Sequence, residues 1–374
     1  MTHVVVIGCG VVGATIAYEL SQIPQLTVTV LDQNSPAQAS TGAALGVLMG
    51  AISHKTKGRA WQMRSCSLQR YETLIPELEN ITGRSILFNR KGILMLCFAG
   101  EDLNKWEELI ATRQSQGWHL QLLDLDQIQS NYPQVNCENV IGAIYSPQDR
   151  QVDPTALTLA LVEAAQHNGV NFQFGVKVEA FQTVNSSETQ RICPQIFTTG
   201  GELDVDGIVI AAGLGTTRLL PTETHQKSIK IRPVLGQAVQ LKLSQPLGEL
   251  EPVISGDDVH IVPLGNAEYW VGATVEFPSN DDDIVIDQTQ INPVMEGAIR
   301  LCPALSEAKI IRQWSGLRPR PDGKPAPIIE YLSGFENILL ATGHYRNGVL
   351  LAPATAETIR KMIVKKFAIA SQES

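Results

Sequence analysis

Three glycines near the start of the chain carry the first chemical signal. Gly8, Gly10 and Gly13 are spaced G-x-G-x-x-G directly after the apolar run Val4 to Ile7. That spacing suits a pyrophosphate: the first glycine permits a tight turn, the second lets backbone N–H groups approach phosphate oxygens, and the third lets the following helix pack close on the strand. Asp32 closes a second apolar run, Thr27 to Leu31, where a carboxylate can accept hydrogen bonds from the ribose hydroxyls of an adenosine. Ser40, Thr41 and Gly42 lie in a small, polar run and can offer hydroxyls and amides to phosphate oxygens, while Gly46 and Val47 bring backbone near a flat ring. A second glycine loop, Thr342 to Gly348, leads into a C-terminal helix. Unpaired amides at a helix start stabilise a nearby anion, which suits a reduced isoalloxazine, anionic near N1 and C2=O, better than a nicotinamide. Arg318 sits among alternating prolines in Gly316-Leu-Arg-Pro-Arg-Pro-Asp-Gly-Lys-Pro. A guanidinium held there can grip a carboxylate bidentately, as a lysine cannot.

These residues need elements to position them. Val4 to Ile7 reads as a buried parallel strand, Val12, Ile16, Ala17 and Leu20 as one face of a helix, and Thr27 to Leu31 as a second strand. A helix over Arg59 to Leu78 is expected to end at Pro76 or shortly after, and Ile86 to Cys97 reads as a hairpin turning at Lys91-Gly92. Helices follow at Asp102 to Gln116 and Leu125 to Asn131, then a strand at Ile141 to Tyr145. Asp153 caps a helix with Pro154 at its first position, ending at His167-Asn168-Gly169. Strands are expected at Asn171 to Phe174, Lys177 to Phe181 and Gln195 to Thr199. The run Gly207 to Gly213 is a buried strand delivering a glycine turn, which returns Ala212 and Gly213 to the nucleotide sheet. Residues 229 to 320 alternate in period two and predict an antiparallel sheet. The proline-rich segment after Trp314 predicts an irregular turn. The chain closes with a strand at Ile338 to Ala341 and a helix from about Pro353 to Val364.

Composition narrows the function. The chain has 374 residues, 44% hydrophobic and 18% charged, with net charge −9. That is ordinary for a globular enzyme of about two domains, and the acidic balance argues against a nucleic-acid partner. Cys9, Cys66, Cys97, Cys137, Cys193 and Cys302 show no C-x-x-C, so neither a metal site nor a disulfide framework is expected. The first strand begins three residues from Met1, leaving no room for a signal peptide, and no run reaches the ~18 apolar residues of a membrane span. A cytoplasmic protein with no membrane partner is the expectation.

The Gly8 to Asp32 fingerprint, the Ala39-Ser-Thr-Gly-Ala-Ala-Leu-Gly loop, Trp314-Ser-Gly-Leu-Arg-Pro with Asp322-Gly-Lys-Pro, and Gly343-His-Tyr-Arg-Asn-Gly-Val-Leu-Leu-Ala-Pro-Ala-Thr together resemble the D-amino-acid oxidase superfamily of FAD-dependent oxidoreductases, most of all the glycine oxidases of the thiamine pathway. The resemblance implies an α/β fold: a Rossmann-like, glutathione-reductase-type FAD domain over 1–84, 146–225 and 326–374, and a substrate domain on an antiparallel sheet over 85–145 and 226–325. It implies FAD, oxidation of a small amino acid to its imine, O2 reduced to H2O2, and a homo-oligomer, commonly a tetramer. By position it puts the amides of Val11 and Val12 at the diphosphate, Asp32 and Gln33 at the ribose, and Val178 at the adenine. It puts Ser40, Thr41, Leu45, Gly46 and Val47 along the flavin, and His344, Tyr345, Arg346, Asn347, Gly348, Val349 and Leu350 under its pyrimidine ring. Arg318 matches the arginine that binds substrate carboxylate, and Arg346 a second substrate-contacting position. His260 stands where the family has a tyrosine facing the substrate, and Val47 replaces a methionine, so the preferred substrate is open. The Pro319 to Pro325 segment holds no cysteine to link a flavin, so noncovalent FAD is expected. A dehydrogenase passing electrons to a quinone, and a noncatalytic FAD-binding redox sensor, are the alternatives.

Overall fold

The apolar run at the start of the chain forms Thr2–Ile7, an inner strand of a six-stranded sheet. The sheet order is Ile328–Tyr331, Ile338–Thr342, Gly207–Ile210, Thr2–Ile7, Leu26–Asp32, Asn171–Phe174. All neighbours are parallel except the antiparallel edge strand Ile328–Tyr331. Inner strands covered on both faces must be apolar throughout, and Val4, Val5, Val6 and Gly207 to Ile210 are buried. One face packs on the helices Val11–Ser21, Gly58–Thr82, Pro154–His167 and Gly348–Lys366. The other packs on a three-stranded antiparallel sheet, Val178–Asn185, Arg191–Thr198 and Gly201–Asp204, through Val5, Ile7, Cys193 and Ile196. The computed structural model describes residues 1–220, 229–248, 251–279 and 284–369.

The second large sheet has eight strands in the order Lys309–Pro321, Ile231–Lys242, Glu268–Gly272, Val259–Gly265, Val253–Gly256, Ile93–Phe98, Val140–Ser146, Gln121–Leu123. It is antiparallel except where Val253–Gly256 meets Ile93–Phe98. The six-stranded sheet therefore draws on segments before residue 84, between 146 and 225, and after 326, and the eight-stranded one on the chain between them. The expected division at 225/226 lies outside the described residues.

Four expectations fail for physical reasons. Pro76 lies inside the 25-residue helix Gly58–Thr82. A buried stripe of Trp61, Leu68, Tyr71, Leu74, Ile75 and Leu78 runs through the proline, and the helix stops at Gly83, whose φ of 67° is the left-handed cap that glycine adopts freely. Ile86 to Cys97 is no hairpin: Phe88–Asn89 pairs with Arg150–Val152, whereas Ile93–Phe98 pairs with Val140–Ser146. Of the prolines after Trp314, Pro319 and Pro321 lie in a strand, Lys309–Pro321, at the edge of the large sheet, and the irregular stretch begins only at Asp322. Leu235 sends its amide away from that strand, to the Glu276 carbonyl. Pairs 231/321, 233/319 and 235/317 are thus the non-hydrogen-bonded ones, and a missing proline N–H costs nothing there. Finally, the last helix begins at Gly348, with Pro353 inside it. The Val349 carbonyl, four residues before the proline and so without its helical donor, accepts the Tyr71 hydroxyl at 2.5 Å.

Candidate active site

A cavity of about 750 Å³ runs along the C-terminal ends of Thr2–Ile7, Leu26–Asp32 and Ile338–Thr342 and across to the large sheet, within the size range of small-molecule and cofactor sites. At one end the chain turns at Gly8, whose φ is +104° and whose added Cβ would fall 2.6 Å from the Ala211 carbonyl oxygen. Gly10, Val11 and Val12 line the wall beside it. The helix they open has no acidic residue in its first turn. Its first amide, that of Val11, expected at the diphosphate, donates instead to Thr41 Oγ1, which leaves the Val12 amide at the helix start open to an anion. Gly13 is turned from the cavity and packs under the turn, where a Cβ would lie 1.9 Å from the Gly8 carbonyl oxygen. The Asp32 carboxylate accepts the amides of Cys9 at 2.7 Å and Asn34 at 2.8 Å. It faces the cavity together with Gln33, Val178, Ala212 and Gly213.

The 40–47 segment crosses the middle of the cavity, with Ser40, Thr41, Leu45, Gly46 and Val47 on its wall. Both expected phosphate-facing hydroxyls have partners in the protein. Ser40 Oγ donates to the Leu317 carbonyl at 2.6 Å, and Thr41 Oγ1 accepts the Val11 amide at 3.0 Å, which leaves the Thr41 proton for a further acceptor. Gly46 has φ +73° and lies against Val152, whose carbonyl oxygen would be 1.8 Å from a Cβ.

Two charged residues that sequence reasoning missed fix the continuation of this segment. Asp149, fully buried, accepts the amides of Gly50 and Ala51 at 2.7 Å and Ile52 at 2.9 Å, and the Ser146 hydroxyl at 2.8 Å. Burial pushes its carboxyl pKa up, against those hydrogen bonds. Arg113, also fully buried, donates to the carbonyls of Ala51 and Ser53 at 2.6 Å and lies 3.6 Å over the Trp61 ring. Burial pushes its pKa down to about 10, so it remains a cation at neutral pH. The signal in the sequence was an arginine on the same helical stripe as Trp106 and Leu109.

At the far end Arg318, His260, Asp258, Tyr345 and Arg346 share the wall. Arg318 Nη1 donates to the carbonyls of Leu235 and Thr274, both at 3.1 Å. The guanidinium lies against Gly236, where an added Cβ would sit 2.3 Å from Nη1 and 2.4 Å from Nη2. Burial first, then neighbouring Arg346, pulls its pKa below the usual value, yet an arginine stays charged through such a shift. Arg346 is exposed and lies 5.5 Å from the ring of Tyr345. His260 holds Ser255 Oγ at 2.9 Å through Nδ1. Burial pushes its pKa down to about 4, with Arg346 and Arg318 adding to the effect and Asp258 opposing it.

Of the last loop, His344, Tyr345, Gly348 and Val349 also reach the cavity wall, while Asn347 and Leu350 do not. His344 is buried with Nε2 2.9 Å from Thr355 Oγ1, and burial holds it near pKa 3, a neutral structural imidazole. No cysteine lies among the described residues of the wall. Among the described residues no His, Cys, Asp and Glu cluster could hold a metal, and no helix is long and apolar enough to cross a membrane.

A glycine cradle leading into a helix start, a carboxylate at the end of the second strand and a long cavity fit a dinucleotide. A family model described as FAD dependent oxidoreductase, DAO, matches residues 3–362. The chain belongs to that family. FAD is therefore its cofactor, and the site residues just described fit it. Within the DAO family the chain is 34% identical to the bifunctional protein ThiO/ThiG of Synechocystis sp., over 97% of this chain and 52% of that protein. It spans about half the length of such bifunctional relatives. It is 28% identical to the glycine oxidase of Bacillus licheniformis, over 96% of this chain and 92% of that one. Its structure is similar to that of glycine oxidase from Geobacillus kaustophilus, with TM-score 0.85 and 25% identity over 100% of this chain and 97% of that one.

Proposed function

We propose that this DAO-family oxidoreductase oxidises a small amino acid to its imine, which hydrolyses to a 2-oxo acid and ammonia, with O2 as the electron acceptor and H2O2 as the second product. One observation carries the substrate class. Arg318 is anchored to two backbone carbonyls through Nη1 alone, and among the described residues its other nitrogens have no protein acceptor. A guanidinium positioned on a cavity wall with donors to spare is a carboxylate receptor, and the paired N–H geometry fixes the direction of the α-carbon.

Gly10, Val11, Val12 and Asp32 would hold the adenosine diphosphate half of FAD, and the segments 40–47 and 344–349 its ring. When bound, FAD supplies a two-electron acceptor for a carbon next to nitrogen. The residues of the chain supply orientation. Arg318 fixes the acid group, Arg346 adds positive potential beside it, and the 45–47 backbone, clamped behind by Asp149 and Arg113, limits where the α-carbon can lie. Noncovalent attachment is part of the proposal, supported by a wall without cysteine.

The likeness to ThiO/ThiG and to glycine oxidases favours glycine as the amino acid and a role for its imine in thiamine synthesis. A homo-oligomer is carried forward on the same resemblance. The acceptor is tested by mixing the FAD-loaded protein with glycine, sarcosine or D-alanine in air with no other oxidant. One H2O2 per imine is expected. Turnover that requires an added quinone would replace the oxidase reading with a dehydrogenase.

A further inference from the structure

The substrate end of the cavity holds a group that carboxylate binding does not use. His260 lies on the strand Val259–Gly265, whose Val259 and Ile261 point into the core of the large sheet. Period-two alternation turns His260 the other way, onto the cavity wall that it shares with Arg318. One ring nitrogen, Nδ1, is engaged by Ser255 Oγ at 2.9 Å, and among the described residues Nε2 has no protein partner. The ring is therefore fixed by one nitrogen and presents the other to whatever occupies the cavity.

The tautomer follows from the charges around it. Arg318 comes from the edge strand Lys309–Pro321, and Arg346 and Tyr345 from the loop before the last helix. Asp258 lies on the hairpin turn leading into the strand of His260. The strand Glu268–Gly272 faces it with Gly272, which brings no charge. The helix Asn292–Leu301 packs on the Val259 side, where its Arg300 pairs with Asp257. Two guanidinium groups and one carboxylate surround the ring, and the neutral tautomer adopted here is the one whose lone pair can face the cations. Nδ1–H then donates to Ser255 Oγ, and Nε2 is left as an acceptor.

Resting on the amino-acid reading above, we propose that His260 Nε2 takes the ammonium proton of the bound substrate. An amino acid arrives as a zwitterion, and its nitrogen can share electrons with the α-carbon as hydride leaves only once it is unprotonated. In the step proposed, one ammonium N–H bond breaks, its electron pair stays on nitrogen, and an Nε2–H bond forms, giving a neutral amine and an imidazolium. The acid group seated on Arg318 is what makes the step feasible. Burial is the main cause that depresses His260 basicity in the free cavity, with Arg346 and Arg318 adding to it, and the acid group's negative charge offsets the part the two guanidinium groups contribute. The proton returns to solvent when the product leaves.

The test compares wild type, His260→Gln and His260→Phe, each loaded with FAD, with glycine as probe. Two readings are taken: kcat/KM across pH, and the Kd of glycolate, which keeps the acid group and lacks an ammonium. A proton acceptor is worth ~10²- to 10⁴-fold. The variants should fall by that factor near neutral pH and recover toward wild type as the pH approaches the amine's own pKa. Glycolate should bind all three within about threefold, because the Arg318 contact is intact. A ratio of variant to wild type that stays constant across pH, or glycolate binding lost in His260→Gln, assigns His260 a structural role and overturns the proposal. A wild type whose flavin is reduced by no amino acid overturns the amino-acid reading itself, a different result from a wild type that turns over with the variants in fixed proportion.

Discussion

Gly236 offers a way to move the Arg318 guanidinium without touching the arginine. Gly236 is paired with Gly316 across the two edge-most strands of the large sheet, and the guanidinium rests on it. In Gly236→Ala the new Cβ would lie 2.3 Å from Nη1, and ordinary contact begins at 3.4 Å, so the guanidinium must retreat by about 1.1 Å. The clashing atoms are the far end of a flexible side chain, so the fold accommodates the change. The donors to the Leu235 and Thr274 carbonyls are what give way. A misplacement of about 1 Å in a positioning group costs ~10²-fold in rate, equivalent to ~2.7 kcal/mol of transition-state stabilisation. Steady-state kinetics with glycine and D-alanine should show kcat/KM reduced by about that factor, mostly through KM, with FAD content and melting temperature unchanged. Wild-type kcat/KM in Gly236→Ala would show that the guanidinium position is not what holds the substrate.

Two further predictions concern the fold. Tyr71→Phe leaves the Val349 carbonyl buried without a donor and should destabilise the protein by ~1–3 kcal/mol in urea unfolding. In a Pro353→Ala background the new backbone N–H can serve that carbonyl, so the same change should cost less, and equal losses in the two backgrounds would refute the compensation. His344 has a folded pKa near 3 against an ordinary 6.5. The unfolded chain therefore binds the extra proton, and stability present above pH 6.5 is lost as the pH falls toward 3, at up to ~1.4 kcal/mol per pH unit. His344→Gln should flatten that slope by one proton's worth, and an unchanged slope would show that His344 is protonated in the fold.

How much of this was legible in the sequence depended on how local the determining physics is. The Gly8 turn, the carboxylate at Asp32 and the Asp153 cap with Pro154 behind it, whose side chain takes the amides of Thr155 and Ala156, are settled by a few adjacent residues. Prolines were misleading because their cost is set elsewhere. Pro319 and Pro321 are tolerated because their partner strand asks for no donor at those positions, and Pro353 because Tyr71, far away in the chain, supplies one. The partners of Arg113 and Asp149 were unreadable for the same reason: each satisfies backbone groups some 60 to 100 positions distant, although the place of Arg113 on an apolar stripe was visible. Gly236 carries no local signal, and its purpose is visible only once Arg318 lies on it.

The central claim is that Arg318 holds the acid group of an amino acid that reduces the bound FAD. It is tested most directly by mixing wild type and Arg318→Ala, both FAD-loaded, with glycine, sarcosine and D-alanine without oxygen and following the flavin absorbance. Rapid bleaching of the wild type is expected, with Arg318→Ala retaining its FAD and bleaching only at substrate concentrations orders of magnitude higher. Equal bleaching of the two proteins at equal substrate would contradict the account.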